Sequence, residues 1–225
     1  MPLFKLLPYS KEKCTVAIWQ ITESEEELMA PLCDGEVLLE EARRRFKAPS
    51  RRLEWLSVRR LKHELGVTSP IAYFSSGRPY LKDDARHISI SHTRGYAAIA
   101  ISETNPIGLD IEQRTDKVCR VRDKFLSHEE KIFLPSEKKN VEAMLVLWTV
   151  KEAMFKLVDR EGVDFARHFH VSPFEMGEEG CLQAHETFTD EGRNFQFSYG
   201  VYPAFVLSIG SSLGGGRYIP RLRSP

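Results

Sequence analysis

The stretch Ile107-Gly108-Leu109-Asp110-Ile111-Glu112 alternates apolar residues with small or acidic ones. This alternation has the period of a β-strand, in which Asp110 and Glu112 share one face with their Cα atoms about 7 Å apart. Two carboxylates at that separation repel each other, and oxygen ligands of this kind are those that Mg²⁺ prefers. The stretch predicts a strand that presents either a divalent-cation site or, as the simpler alternative, a solvated acidic face.

A long helix is predicted downstream, over about residues 141–158, and it supplies a third carboxylate. One stripe of this helix, with spacings of three and four residues, consists of Val141, Leu145, Trp148, Glu152 and Phe155. Glu152 is the only charged residue in the stripe, so it needs a partner. That partner is either Lys156, one turn further on in an ordinary ion pair, or a metal ion shared with the acidic strand.

Two strands are predicted upstream, over residues 87–91 and 96–102, joined around 93–95 as a hairpin. Ser91 and His92 stand where the first strand gives way to the turn. A histidine beside hydroxyl groups at a strand end can donate a hydrogen bond to a phosphate, although a surface or core histidine is the more common case.

Residues 43–62 form the most basic segment of the chain. Its cations are Arg43, Arg44, Arg45, Lys47, Arg51, Arg52, Arg59, Arg60 and Lys62. Such a cluster suits bidentate phosphate binding. The alternative is a solvated helix face, balanced by nearby glutamates that include Glu54.

The remaining patterns predict helices and strands in both halves of the chain. Helices are expected after residue 22, over 34–65 in two parts, and over 116–125 and 127–134. Strands are expected over 14–21, 71–74, 105–112, 168–174, 182–188, 194–199 and 204–209. We therefore expect an α+β fold of two similar lobes related by a pseudo-twofold axis, with the active site in the cleft between them. The lobes would be residues 1-106 and 107-209, followed by a flexible tail, 210-225.

Composition limits the class of protein. The chain has 225 residues, 32 Lys and Arg against 32 Asp and Glu, and 42% hydrophobic residues. This is typical of a soluble globular protein without a global charge that would attract nucleic acid or membranes. Its four cysteines are scattered, which predicts neither a zinc site nor a disulfide framework. We expect a cytoplasmic protein without a membrane span.

Four motifs, taken together and in this order, resemble those of the 4′-phosphopantetheinyl transferases of the larger, monomeric, surfactin-synthetase-activating type. They are a G-[KR]-P element at Gly77-Arg78-Pro79, an S-H motif at Ser91-His92, a G-x-D-x-E motif at Gly108 to Glu112, and a W-x-x-K-E-x-x-x-K motif at Trp148, Lys151, Glu152 and Lys156. The resemblance covers about residues 45–160. Thr93 departs conservatively from the serine that often follows the S-H motif.

The resemblance implies a Mg²⁺-dependent transferase that moves the 4′-phosphopantetheine arm of coenzyme A onto a serine of an apo carrier protein and releases 3′,5′-ADP. This is the activity of a holo-[acyl-carrier-protein] synthase, which serves fatty acid, polyketide or nonribosomal peptide biosynthesis. The expected partners are coenzyme A and an acyl or peptidyl carrier protein, without nucleic acid or membrane. The sequence does not distinguish among the carriers, or between Mg²⁺ and Mn²⁺.

The resemblance also implies roles for individual residues. The metal would be held by Asp110, Glu112 and Glu152, and the catalytic pair would be Glu152 as base, directly or through a metal-bound water, and Lys156 at the leaving phosphate. Coenzyme A would be contacted by Arg51, Arg52, Gly77, Arg78, Pro79, Ser91, His92, Asp110, Lys151 and Lys156. Which of Arg51 and Arg52 meets the 3′-phosphate stays open.

Two other functions are compatible with parts of the sequence. A metal-dependent phosphodiesterase or nuclease also uses clustered acids with a lysine, but its lysine usually stands two residues after the second acid, where this chain has Arg114. A non-enzymatic nucleic-acid-binding module would use the basic segment 43–62, but it leaves the acidic motifs unexplained.

A carrier-docking surface is expected just after the acidic strand, because carrier proteins are acidic around the modified serine. Its basic members would be Lys117, Arg120, Arg122 and Lys124, and its apolar members Val118, Val121 and Phe125.

Overall fold

The structure is a computed structural model that describes residues 3–9, 13–134 and 140–214. It combines helices with antiparallel sheets, so the predicted α+β class is confirmed. Among the described residues, no helix is both long enough and apolar enough to cross a bilayer.

The elements before residue 105 are β1 (Leu3–Tyr9), β2 (Cys14–Gln20), α1 (Glu25–Met29), α2 (Gly35–Arg45), α3 (Pro49–Glu64), β3 (Ile71–Tyr73), β4 (Pro79–Leu81), β5 (His87–Thr93) and β6 (Tyr96–Ser102). Local chemistry explains several of these boundaries. Ser24 and Glu27 form a capping box at the start of α1. Pro49 occupies the first position of α3, where its missing N–H costs nothing.

The elements after residue 105 are β7 (Gly108–Gln113), a 3₁₀ helix (Asp116–Val121), α4 (Arg122–Phe125), α5 (His128–Phe133), α6 (Asn140–Val158), α7 (Phe165–His168), β8 (Phe169–Val171), β9 (Glu179–Glu186), β10 (Asn194–Val201) and β11 (Phe205–Leu213). Ser127 and Glu130 form a second capping box, at the start of α5.

Two larger sheets organise these elements. The first has the strand order β1-β2-β6-β5, and the second has the order β7-β11-β10-β9-β8. Strands β5 and β7 are therefore edge strands of different sheets. A short two-stranded sheet, β3-β4, completes the described strands.

The buried core has three parts. Helices α1 to α3 pack on the first sheet around Leu56 and Leu61. The apolar face of α6 packs on the second sheet around Phe195 and Phe197. A third cluster joins both sheets, since Ile18 of β2 lies in the same cluster as residues of β7 and β11. The expected division into two similar lobes, 1-106 and 107-209, stays a prediction.

The glycine of the acidic strand is required by packing. A Cβ atom built on Gly108 would lie 2.3 Å from the carbonyl oxygen of Ala153 in α6. No side chain fits there, so glycine allows β7 to approach α6 closely enough to bring the acidic residues to the helix.

Three sequence predictions are corrected, and one strand is added. Strand β1 was not predicted, and the helix expected over 116–125 is a 3₁₀ helix followed by the short α4. The strand expected over 168–174 starts after α7 and ends at Val171. Residues 210–213, expected in the tail, are the end of β11, because they continue the pairing with β10. Residues 215–225 lie outside the described part of the chain.

Candidate active site

Asp110 is the most enclosed acid of the site. It lies on β7 with only 5% of its surface exposed. Its Oδ1 atom accepts hydrogen bonds from Ser91 Oγ at 2.7 Å and from Lys156 Nζ at 2.9 Å. Its Oδ2 atom is buried and accepts no hydrogen bond from the described residues. A buried carboxylate oxygen without a donor is costly, so Oδ2 is a ready ligand for a cation.

Glu112 stands two residues further along β7 and is held at both of its oxygens. Thr93 Oγ1 donates to Oε2 and Trp148 Nε1 donates to Oε1, each at 3.3 Å. Burial raises the pKa of Glu112, and the negative charge of Asp110 adds to that effect, whereas the two hydrogen bonds oppose it. Charge on Glu112 is therefore disfavoured by its surroundings unless a cation is near.

Glu152 on α6 completes the group of acids. Burial raises its pKa to about 7, with a further contribution from Asp110 and a smaller one from Glu112, while Lys156 opposes the shift. The three carboxylates therefore share one electrostatic environment. The ordinary ion pair considered for Glu152 is not what the structure shows, because Lys156 bonds to Asp110 and to the carbonyl oxygen of Leu109 at 2.6 Å.

The donor chemistry of these acids fits a hard divalent cation such as Mg²⁺. The unsatisfied Oδ2 of Asp110 and the mutual repulsion of the three carboxylates both favour one. As the side chains stand, no group of three or more His, Cys, Asp or Glu residues in the described ranges is arranged to coordinate a metal.

A cavity of about 520 Å³ opens beside the acids. Its lining combines cations with aromatic and apolar surface, and includes Arg51, Trp55, Tyr73, His92 and Lys156. Arg59 also lines it, with its guanidinium stacked 3.4 Å from the centre of the Trp55 ring. A cavity with aromatic walls and cations at its rim suits a ligand that has both a flat base and phosphates.

His92 belongs to a small polar cluster at this cavity. Its Nδ1 lies 3.3 Å from Glu54 Oε2, and its Nε2 lies 3.4 Å from Arg51 Nη1. Burial lowers the pKa of His92, and the Glu54 carboxylate opposes that shift. The cluster brings together β5 and α3, which are far apart in sequence.

Arg51 and Arg52, which the sequence could not separate, have different environments. Arg52 donates to Glu25 at 2.7 Å and to the carbonyl oxygens of Phe46 and Lys47. Arg51 keeps 59% of its side chain exposed and lines the cavity. Of these two arginines, Arg51 is the one placed to contact a ligand in this cavity.

A second cavity, of about 280 Å³, shares Gly77, Pro79 and Lys156 with the first, and Glu152 also lines it. Arg78 lines this second cavity and lies 3.9 Å from Asp159, just after the end of α6. The G-[KR]-P element therefore borders both cavities. Lys156 stands at the boundary between them.

Lys151 is not at the site, contrary to the prediction that it contacts coenzyme A. Its side chain is fully buried and donates to Glu130 at 2.6 Å and to the carbonyl oxygens of Phe125 and Phe165. These partners lie behind α6, away from the two cavities. Lys151 therefore joins parts of the core and does not reach either cavity.

The expected docking surface is also revised. Its basic residues Lys117, Arg120, Arg122 and Lys124 are exposed. Val118 and Phe125 are instead buried in the core, because the 3₁₀ helix and α4 turn them inward. A third cavity, of about 360 Å³, lies here between Lys117 and Trp148, with Glu112 in its wall.

Part of the chain is similar to known proteins. Residues 106–209 match the family model of the 4′-phosphopantetheinyl transferase superfamily. This segment, somewhat less than half of the chain, is therefore similar to that superfamily. The matched segment contains all three acids as well as Trp148 and Lys156.

The chain is also similar to "4′-phosphopantetheinyl transferase gsp" of Aneurinibacillus migulanus, to which it is 33% identical over 86 residues. The match covers 37% of this chain and 35% of the relative. The chain thus aligns with about a third of the length of the curated relative it matches.

Sequence reasoning assigned no role at the site to three residues that the structure places there. Thr93 was treated as part of a turn and as a departure from the motif, Trp148 as an apolar position and a motif residue, and Glu54 as a balancing charge, so none of them was assigned a contact at the site. Thr93 left a detectable signal, because Ser89, Ser91 and Thr93 put a hydroxyl on every second position of one strand. The partners of Trp148 and Glu54 are distant in sequence, so no local pattern indicated that these two residues belong to the site.

Proposed function

We propose that the protein transfers the 4′-phosphopantetheine arm of coenzyme A to a serine of an apo carrier protein and releases 3′,5′-ADP. The single observation that carries the proposal is the position of Lys156. Its ammonium group bonds to Asp110 and lies at the boundary of the two cavities, beside Glu152. The superfamily match supports the same reaction class.

The larger cavity accommodates the nucleotide end of coenzyme A in this proposal. Arg51 and His92 provide cationic and hydrogen-bonding contacts for phosphate oxygens at its rim, and Arg51 is assigned to the 3′-phosphate. Tyr73 and Trp55 offer aromatic surface for the base. Gly77 and Pro79 also line this cavity and would border the base.

The serine oxygen bonds to the phosphorus of the arm while the bridging P–O bond of the pyrophosphate breaks, and Lys156 neutralises the charge that develops on the 5′-phosphate of the leaving 3′,5′-ADP. An ammonium already fixed by Asp110 and by the Leu109 carbonyl needs little reorganisation to do so. Mg²⁺ held by Asp110, Glu112 and Glu152 would supply further stabilisation of the same oxygens as a Lewis acid.

Glu152 is the proposed base for the serine hydroxyl. Without a bound cation the pKa of Glu152 is raised to about 7, so its carboxylate accepts a proton near neutral pH far better than an ordinary one does. Its position in the wall of the second cavity, one turn from Lys156, places base and cation on the same face of α6.

The nucleic-acid alternative is not favoured by the basic segment as it folds. Several of its cations are already bonded to carboxylates within the protein: Arg43 to Glu26, Arg45 to Glu41, Arg52 to Glu25 and Arg60 to Glu64. The segment therefore offers less free charge than its sequence indicates.

The test is intact-mass spectrometry of an apo acyl carrier protein incubated with this protein, coenzyme A and Mg²⁺. We expect the carrier to gain about 340 Da, the mass of the arm, and the gain to vanish with a chelator or with Asp110→Ala. Asp190→Asn, on an exposed turn between β9 and β10, is the matched control and should leave the gain intact. An unmodified carrier across acyl and peptidyl types contradicts the proposal.

Carrier docking is assigned to the exposed basic residues after β7. Charge reversal at Arg120 and Arg122 should raise the KM for the carrier about tenfold and leave the KM for coenzyme A unchanged, because rim charges act on association with an acidic partner. Equal carrier kinetics in wild type and variant would place docking elsewhere.

A further inference from the structure

The facing edges of the two large sheets are joined through side chains. Strand β5 carries hydroxyls at alternate positions, and each accepts a hydrogen bond from a backbone N–H of β7. The three bonds are Leu109 N to Ser89 Oγ at 3.0 Å, Ile111 N to Ser91 Oγ at 3.3 Å, and Gln113 N to Thr93 Oγ1 at 3.0 Å. The constant spacing of 20 residues shows that β5 and β7 run side by side in the same direction. Side-chain hydroxyls of β5 accept the hydrogen bonds that backbone carbonyls would accept in an ordinary sheet.

Two of these hydroxyls have a second partner. A hydroxyl has one proton to donate as well as lone pairs to accept with. Ser91 donates its proton to Asp110, and Thr93 donates its proton to Glu112. Ser89 makes only the backbone bond among the hydrogen bonds that the structure gives it. We call these three hydrogen bonds between β5 and β7 the seam. The seam restrains the backbone of β7 at three residues, and two of its hydroxyls also restrain the side chains of Asp110 and Glu112.

Helix α6 supplies the second donor to each acid. Lys156 donates to the same oxygen of Asp110 as Ser91 does, whereas Trp148 donates to the oxygen of Glu112 that Thr93 leaves free. Each carboxylate therefore lies between one β5 hydroxyl and one α6 donor. Without such restraints two carboxylates two residues apart would turn away from each other, because their charges repel.

We propose that Ser91 and Thr93 are positioning residues that fix the orientation of Asp110 and Glu112 for the cation. This inference rests on the proposed function, in which those carboxylates hold Mg²⁺. It assigns Ser91 to the support of Asp110 in place of the coenzyme A contact implied by the motif. It also gives Thr93, the position where the motif departs from serine, a defined requirement: a hydroxyl.

The variants separate orientation from structure. Thr93→Val keeps the shape of the side chain and removes the hydroxyl, whereas Thr93→Ser keeps the hydroxyl. Ser91→Ala removes the bonds to Ile111 and Asp110. Ser89→Ala is the matched control, because it removes a backbone bond of the same seam and touches neither acid.

The first readout needs no metal and no activity. The indole N–H of Trp148 reports on Glu112, and its signal in a ¹⁵N–¹H spectrum can be assigned with Trp148→Phe, since the chain has three tryptophans. We expect Thr93→Val to shift this signal, and Thr93→Ser and Ser89→Ala to leave it in place. An unmoved signal in Thr93→Val overturns the role of Thr93.

The second readout is Mg²⁺ affinity by calorimetry in the presence of coenzyme A. Loss of a residue that orients a metal ligand typically weakens affinity about 10- to 100-fold, and we expect this for Ser91→Ala and Thr93→Val. Thr93→Ser and Ser89→Ala should stay within about threefold of wild type. Equal weakening by Ser89→Ala and Ser91→Ala would show that the seam is merely structural and overturn the proposal.

The two proposals fail differently. If wild type leaves every apo carrier unmodified while Thr93→Val still shifts the Trp148 signal, the proposed function fails and the positioning stands. If wild type modifies the carrier while Thr93→Val changes neither the indole signal nor the Mg²⁺ affinity, the positioning fails alone. If wild type binds no Mg²⁺, the indole signal alone decides on positioning.

Discussion

Two lysines of the same helix, five residues apart, have opposite surroundings. Lys151 is fully buried in the core and paired with Glu130, whose other oxygen accepts from the Val171 N–H. Lys156 keeps 27% of its side chain exposed, pairs with Asp110 and lines two cavities. Both belong to one sequence motif, so the motif alone gives them equal standing.

Helical geometry explains the difference. Five residues at about 100° each place Lys151 and Lys156 roughly 140° apart around the axis, whereas Glu152 and Lys156 are only about 40° apart. Glu152 and Lys156 therefore face the acids of β7 together, and Lys151 faces the core. The motif alone does not distinguish a residue that acts in the chemistry from one that stabilises the fold. The position of each residue around the helix axis makes that distinction.

The largest expected effect is on the buried pair. Lys151→Met removes the ammonium and leaves Glu130 charged and buried, so the free energy of unfolding should fall by about 3–5 kcal/mol. Urea denaturation at pH 7 measures this change. A loss below about 1 kcal/mol would mean that Lys151 is not the structural member of the two lysines.

Lys156→Met tests the other half of the comparison. Carrier modification should slow by about 100-fold or more, because the cation at the reacting phosphate is lost, while the free energy of unfolding should fall by less than in Lys151→Met, because Lys156 is partly exposed and Lys151 is not. Timed intact-mass spectra and urea denaturation of the same preparation give both values. If the variant unfolds like Lys151→Met, the two lysines do not differ in role.

Glu152 sharpens the comparison through pH. In the folded protein it keeps its proton up to pH about 7, whereas its ordinary pKa is 4.5. Between these values the folded state binds more protons than the unfolded state, so this group makes the free energy of unfolding fall as pH rises.

Glu152→Gln removes that dependence. The difference in the free energy of unfolding, variant minus wild type, should increase by up to about 3 kcal/mol as the pH rises from 5 to 8. Urea denaturation of both proteins without divalent cations checks it. A difference that is constant over this pH range would contradict the raised pKa.

The smallest expected effects concern the paired arginines of α3. Arg51→Ala should weaken coenzyme A binding about tenfold and leave stability nearly unchanged, because its side chain is exposed at the cavity. Arg52→Ala should lower stability by about 1 kcal/mol and leave coenzyme A affinity unchanged, because Arg52 bonds to Glu25 and two carbonyls. Calorimetry measures the affinity for coenzyme A and urea denaturation measures the stability of each variant. If Arg52→Ala loses affinity and Arg51→Ala does not, the phosphate contact belongs to Arg52.

Much of the fold was predictable because its signals are local. The capping boxes of α1 and α5, the proline at the start of α3 and the alternation in β5 and β7 each act within a few residues. The 3₁₀ helix before α4 and the end of β11 were not predictable, since burial of Val118 determines the first and pairing with β10 determines the second. The same holds for the site residues. The sequence predicted that Asp110 and Glu112 share one face of a strand, but it did not predict that Glu112 contacts Trp148.

The sequence by itself determined the strand, the helix and the identity of the three acids, because periodicity and residue chemistry are properties of the chain. Only the tertiary structure decided that Lys156 bonds to Asp110, that Lys151 lies in the core, and that Arg51 reaches the cavity. These assignments depend on which faces meet when β7 packs against α6 and β5. That packing is set by the burial of side chains far apart in the chain, which local patterns do not encode.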